Sequence, residues 1–346
     1  MAKRRLLIIA EGRLDLFAAK TAVSLLRYCP DEVVAVVDSQ HAGGDLTSLV
    51  GTGAGVPIVP DVAAALPLKP DHLVIGVALP GGVLPPAWRS AILEALRNGM
   101  DVLNGMHTAL ADDERLAACA TECGRRLYDL RHVTREYPVG LARAVGTRAK
   151  RVLTVGSDCN VGKMVASLEI VRDLCGRDRP ARMIATGQTG VLITGHGEVI
   201  DAVKSDFVAG AVEMLLLAED ARGEEFLVVE GQGSILHPGF SGVTLGLMHG
   251  TLPDAIILCH APARTTMRHT QIPVPPLPEL VRLHEELLAP IHPCRVVGVA
   301  LNCFGMSPAQ TAETIERTQQ ETGLPATDCL GAGVEPLTDA LLEALA

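Results

Sequence analysis

Thr154-Val155-Gly156-Ser157-Asp158-Cys159-Asn160-Val161-Gly162-Lys163 reads G-x-x-x-x-G-K, with an apolar run at 152–155 leading in and a helix-forming stretch at 164–174 leading out. Strand, glycine loop and helix in that order are the context in which this spacing makes a phosphate-binding loop. The glycines let successive backbone N–H groups converge on one anion, and the helix N-terminus adds partial positive charge. The expected cradle is Gly156, Ser157, Asp158, Cys159, Asn160, Val161, Gly162, Lys163 and Met164, with Lys163 reaching the outer phosphates and counted among the catalytic groups. The position after the lysine ordinarily carries a Ser or Thr hydroxyl for magnesium. Here it is Met164, and a thioether does not serve a hard cation. Phosphate binding is therefore expected while magnesium stays open, with Ser157 and Ser167 as the nearest hydroxyls. Cys159 sits at a helix N-terminus, where a thiolate is favoured. Bound phosphate would cover it, so a structural thiol is expected rather than a nucleophile.

Bulk properties narrow the class. A chain of 346 residues has room for two domains with cores of their own. It is rich in Ala, Val and Leu and only 3% aromatic, which suits buried parallel strands covered by helices. A net charge of −10 argues against a nucleic-acid or anionic-membrane surface. No apolar run reaches the length of a membrane span. The basic start and the apolar run at 6–10 superficially resemble a signal peptide, but Glu11, Arg13 and Asp15 cut it short, and it reads as a first strand. Nine cysteines, with no C-x-x-C pair, read as reduced thiols of a cytoplasmic protein. The expected partners are a small-molecule substrate and further copies of the chain.

Strands and helices alternate along the whole sequence, with glycine turns after the strands, which predicts open parallel sheets. In the first half, strands are expected at 6–10, 33–38, 57–59, 72–77 and 101–103, with helices at 15–27 and 87–98. Ligands on such sheets bind at the carboxyl ends of the strands. Glu11-Gly12, Asp38-Ser39, Ala78-Leu79-Pro80-Gly81-Gly82 and Asn104-Gly105-Met106-His107 would share that edge. Asp38 stands where a ribose-binding acid would, yet the first turn is not G-x-G-x-x-G, so a Rossmann-like domain without dinucleotide binding is expected. The charged stretch 131–150 reads as a linker, giving a Rossmann-like parallel-sheet domain over 1–140 and a P-loop NTPase-like α/β domain over 141–346.

In the second half, the apolar run 226–229 ends in Glu230-Gly231-Gln232-Gly233-Ser234. An acid closing the strand beside a phosphate loop holds magnesium or positions a nucleophile. Glu230 is expected to be catalytic or, with Asp206, metal-binding. His237 is a candidate general base because an unperturbed imidazole titrates near neutrality; His249 is a weaker one. Thr186, Gln188 and Thr189 of the turn after the strand at 181–186, with Gly231 and Gln232, are expected to meet the substrate. Arg264 is expected to grip its carboxylate, with Arg268 beside it, through paired donors.

The motifs at 156–163, Thr186-Gly187-Gln188-Thr189-Gly190 and Val229-Glu230-Gly231-Gln232-Gly233-Ser234 with His237-Pro238 resemble the D-glutamate N-acetyltransferase family, long carried as a domain of unknown function. Val37-Asp38-Ser39, Pro80-Gly81-Gly82 and Asn104-Gly105-Met106-His107 extend the resemblance over nearly the whole chain. It implies a Rossmann-like N-terminal domain and a P-loop domain similar to dethiobiotin synthetase. It also implies transfer of an acetyl group from acetyl-CoA to D-glutamate or a similar amino acid, with the CoA phosphates in a loop that lacks a magnesium hydroxyl. Two other readings stay open. One is an ATP- and magnesium-dependent phosphotransferase or carboxylate-activating ligase resembling dethiobiotin synthetase. The other is a non-catalytic nucleotide-binding regulator.

Overall fold

The computed structural model describes residues 3–16, 18–77, 84–133 and 135–346, which fall into two compact units, 1–134 and 135–346. The first runs β1 (Leu6–Ile9), α1 (Lys20–Tyr28), β2 (Val33–Val37), α2 (Leu46–Val50), β3 (Ile58–Val59), α3 (Val62–Ala65), β4 (His72–Ile75), α4 (Pro86–Arg97), β5 (Asp101–Asn104), α5 (Glu114–Glu122) and β6 (Leu127–Asp129). Its sheet has the order β3-β2-β1-β4-β5-β6, parallel throughout, so the strand order reverses between β1 and β4. That is the Rossmann-like arrangement expected. Helix α1 starts later than the sequence suggests, because the Asp15 carboxylate accepts the Ala18 N–H at 2.9 Å and holds a turn ahead of it.

The polar groups at the carboxyl edge of this sheet are consumed internally. Asp38 is fully buried; it accepts the Gly12 N–H at 3.0 Å and pairs with His41 Nδ1 at 2.5 Å. The Asn104 amide donates to the Thr108 carbonyl and to Asp129, and its oxygen accepts the Met106 N–H. These residues tie turns to strands. The expected turn at 78–82 lies outside the described residues.

The second unit runs β7 (Lys150–Gly156), α6 (Lys163–Gly176), β8 (Ala181–Ile184), α7 (Gln188–Thr194), α8 (Val208–Asp220), β9 (Phe226–Val229), α9 (Ser241–Thr251), β10 (Ala255–His260), α10 (Leu277–Leu288), β11 (Arg295–Leu301), α11 (Pro308–Thr322), β12 (Ala326–Asp328) and α12 (Glu335–Ala344). Its sheet is parallel in the order β12-β11-β10-β7-β9-β8. The interior strands are buried on both faces, so they read as continuous apolar runs rather than alternating ones. Ala166, Ile170 and Leu174 of α6 belong to the same buried core as Val152, Phe226, Val228 and Ile257. Each large apolar side chain so buried contributes about 1.5–3 kcal/mol.

Three features depart from expectation. Residues 135–140 belong to the second unit, where the Tyr137 hydroxyl meets Glu198 and the Pro138 carbonyl lies against Gly210. The turn expected at 187–190 is the first turn of α7. Helix α9 was hidden by its glycines: a Cβ on Gly246 would come within 2.3 Å of Val208, and one on Gly250 within 2.5 Å of the Ala209 carbonyl. Those glycines let α9 pack tightly on α8, and close packing outweighs their poor helix propensity. Among the described residues, no helix is long and apolar enough to cross a membrane.

Candidate active site

The loop between β7 and α6 has the backbone the motif requires. The Ser157 N–H bonds the Cys259 carbonyl at 2.9 Å, Asn160 and Gly162 adopt φ of +52° and +106°, and α6 begins at Lys163. Lys163 is only 7% exposed, and its ammonium donates to the Asp158 carbonyl at 2.9 Å and the Gly233 carbonyl at 2.8 Å. It therefore ties the loop to the turn after β9 as well as supplying charge. Desolvation lowers its pKa, against the pull of nearby thiols and of Asp158 and Glu230. Gly156 makes room for this crossing, since a Cβ there would stand 2.6 Å from Lys163 Nζ and 2.7 Å from the Asp158 carbonyl.

Asp158 is fully buried, and one carboxylate oxygen takes Arg264 Nη1 at 2.8 Å and the Arg268 N–H at 2.7 Å. Arg264 also donates to the Cys159 carbonyl. The arginine expected to grip an acceptor carboxylate is instead a clamp on the phosphate loop, 106 residues away in sequence from the acid it holds. Arg264→Lys should accordingly weaken the phosphate-bearing ligand about tenfold, the scale of one charge-assisted hydrogen bond, and change the acceptor KM less. Calorimetric titration of that ligand beside steady-state kinetics on the acceptor checks this.

His237 does not act as a general base in this geometry. It is 4% exposed, its Nε2 donates to the Arg268 carbonyl at 2.8 Å, and its Nδ1 accepts the Gly239 N–H at 3.1 Å. Both ring nitrogens are spent on holding two loops together, and the ring packs on Phe240 at 4.6 Å. His249 is exposed in the last turn of α9. Cys159 is half-buried, and desolvation raises its thiol pKa despite Lys163 beside it, so the favoured thiolate is not found. The ligand atoms of Asp158, Cys159 and His237 lie within 4.8 Å of one another, the one such trio among the described residues. Lys163, Arg268 and Arg264 all act on Cys159, so three positive charges make the trio a poor cation site.

Glu230 follows β9 directly and is 4% exposed. Its Oε2 accepts the Thr186 N–H at 3.0 Å and the Gly187 N–H at 3.1 Å, and Gln232 donates to the same carboxylate. Burial nevertheless pushes it up to about 7, outweighing those bonds and the charge of Lys163. Gln232 also donates to Thr186 Oγ1 at 3.1 Å, and Thr186 in turn donates to the Glu230 carbonyl. Gly231 bonds Thr154 Oγ1 at 3.0 Å. Gln188 and Thr189 are half-buried at the start of α7. The structure thus brings Lys163, Glu230, Gly231, Gln232 and Thr186 together at the carboxyl ends of β7, β8 and β9.

The residues present do not suit a magnesium ion. The Ser167 hydroxyl is buried, donates to the Lys163 carbonyl at 3.0 Å and pairs with Thr154 at 3.1 Å. Ser157 pairs with His260 Nδ1 at 2.9 Å. Asp206 is exposed in the turn Ser205–Phe207, whereas Glu230 is buried and bound to backbone, and neither belongs to a ligand cluster among the described residues. Magnesium demands near-octahedral oxygen ligation, which this set lacks. His260 escaped sequence reasoning. Burial, with Arg264 and Arg317 nearby, depresses it to about 4, and its only sequence signal is its place at the end of an apolar strand.

Comparison with known proteins covers both units. Residues 39–133 match a family described as a domain of unknown function, DUF1611_N, Rossmann-like domain, and residues 138–338 its P-loop counterpart, DUF1611_C. The chain is 38% identical over 332 residues to a protein of Tritonibacter scottomollicae named D-glutamate N-acetyltransferase, covering 94% of this chain and 95% of that protein. A protein of the same name from a Pseudoalteromonas species is 38% identical over 280 residues, covering 80% of this chain and 82% of the relative. The crystal structure of a DUF1611 family protein from Anabaena variabilis superposes with a TM-score of 0.93 at 38% identity, over 98% of this chain and 99% of that one.

Proposed function

The chain belongs to the DUF1611 family, and from that membership we propose a transferase that moves an acetyl group from acetyl-CoA to the amine of D-glutamate or a closely similar acidic amino acid. The observation that supports it is Glu230, a buried carboxylate poised at about 7 beside a phosphate loop. An amino acid arrives as an ammonium ion, which is no nucleophile until a base removes a proton. A base works best when its pKa lies near the working pH. Glu230 takes that proton and passes it to solvent, the amine attacks the thioester carbonyl, the C–S bond breaks, and the second proton, shed by the nitrogen as it becomes an amide, goes through Glu230 to the departing CoA sulfur. The loop at 156–163 holds the CoA diphosphate through backbone N–H groups and Lys163. Thr186, Gln188, Thr189 and Gln232 border the acceptor.

Purified protein given acetyl-CoA and D-glutamate should form N-acetyl-D-glutamate, read by mass spectrometry. Neither ATP nor magnesium is needed on this reading, so turnover should be unchanged in chelator. Complete loss in chelator, restored by magnesium, together with ATP consumption, would replace this reading by the ATP-dependent one.

A further inference from the structure

A cleft of about 180 Å³ opens beside the phosphate loop, walled by His260 at the end of β10 and Arg264 after it, by Pro275 and Pro276, and by Arg317 and Glu321 of α11. Whole-ligand pockets run to about 300–1,000 Å³, so this one suits an end group of a longer molecule. Its charge is selective. The Arg317 side chain is exposed and makes no hydrogen bond or ion pair among the described residues. Arg264 commits Nη1 to Asp158 and Cys159, and its remaining N–H donors have no partner among the described residues. Burial keeps His260 neutral and Asp158 balances Arg264, which leaves Arg317 as the unpaired cation of the cleft, with the free N–H groups of Arg264 beside it.

The sheet order says which end group. β7 carries the phosphate loop, β9 with Glu230 lies on one side of it, and β10 with this cleft lies on the other. In acetyl-CoA the diphosphate is internal: the thioester arm leaves from one side and the adenosine 3′-phosphate from the other. With the diphosphate in the loop and the thioester at Glu230, the 3′-phosphate end falls on the β10 side. ATP has no group there that calls for an unpaired guanidinium ion. We propose that Arg317, with the free N–H groups of Arg264 beside it, forms a subsite for the 3′-phosphate of the CoA donor, an inference that rests on the acetyl-transfer reading.

The test compares acetyl-CoA with S-acetyl-3′-dephospho-CoA in the wild type and in Arg317→Ala. The wild type should favour acetyl-CoA strongly. The variant should raise the KM for acetyl-CoA about tenfold, the scale of one charge-assisted contact to phosphate, while its KM for the dephospho donor stays at the wild-type value. Equal use of both donors by the wild type, or an equal shift of both KM values in the variant, overturns the subsite and leaves acetyl transfer standing. Absence of turnover with either donor overturns the function instead. The subsite is then read from calorimetric binding of adenosine 3′,5′-bisphosphate against adenosine 5′-monophosphate. A preference for the bisphosphate that Arg317→Ala abolishes supports it, and no preference sinks it.

Discussion

Glu230→Gln should cut acetyl transfer by about 10²–10⁴, the usual worth of a positioned general base, and at the same time make the protein more stable in alkaline solution. The two effects share a cause. Folding moves the Glu230 carboxyl from 4.5 to about 7, chiefly through burial. A group whose folded pKa is raised helps the fold below its unfolded pKa and loses that contribution as the pH climbs through the folded value. Above about 7 the native state therefore carries an ionised carboxylate in a desolvated place. At 1.36 kcal/mol per unit the cost approaches about 3 kcal/mol. Glutamine keeps an acceptor for the Thr186 and Gly187 N–H groups and never ionises. Denaturant midpoints should then separate in favour of the variant above the folded pKa and converge below the unfolded one. The wild-type kcat/KM should fall on the acid side as Glu230 protonates. A variant less stable than wild type in alkali would mean that Lys163 and the backbone donors stabilise the carboxylate outright, and Glu230 would no longer be a poised base.

The strand-end logic that located Glu230 served well because it depends on chain order alone. An apolar run closing in an acid, downstream of a strand closing in a glycine loop, lands at one sheet edge whatever the rest does. That logic also brought Lys163, Thr186 and Gln232 to the site. It failed for Arg264 and His237 for one physical reason. A polar side chain at the edge of a sheet is aimed by whichever loop takes it first. Asp158 takes Arg264, and the Arg268 carbonyl takes His237; both contacts are long-range and leave no mark in local sequence. In the first unit Asp38 is held in the same way, by the turn at Gly12. Helix α9 was illegible because the glycines that disfavour it in isolation are what its packing requires. Met164 is the opposite case, a single side chain whose chemistry leaves the loop without its magnesium hydroxyl on the sequence alone.

Gly231→Ala should be the most damaging small substitution in the site. A Cβ at this position would lie 1.8 Å from the Thr154 carbonyl oxygen and 3.0 Å from Lys163 Cδ. The first contact is with backbone inside β7, so no rotamer change relieves it. Either β7 or the turn after β9 must move, and each motion has a functional consequence. Displacing β7 shifts the phosphate loop that follows it. Displacing the turn breaks the Gly231 bond to Thr154 Oγ1 and the Lys163 bond to the Gly233 carbonyl. The loss of stability should reach about 3 kcal/mol, the upper end for overpacking, with phosphate-ligand binding lost in whatever protein still folds. Gly239→Ala is the matched control: it lies in the same loop, and its nearest neighbour would be 3.7 Å away. It should change stability by less than about 0.5 kcal/mol, as surface substitutions do. Thermal melts and ligand titrations on both variants decide the matter. If Gly231→Ala melts and binds like Gly239→Ala, then β7 and the turn after β9 are not in the close contact described, and Lys163 cannot be bridging them.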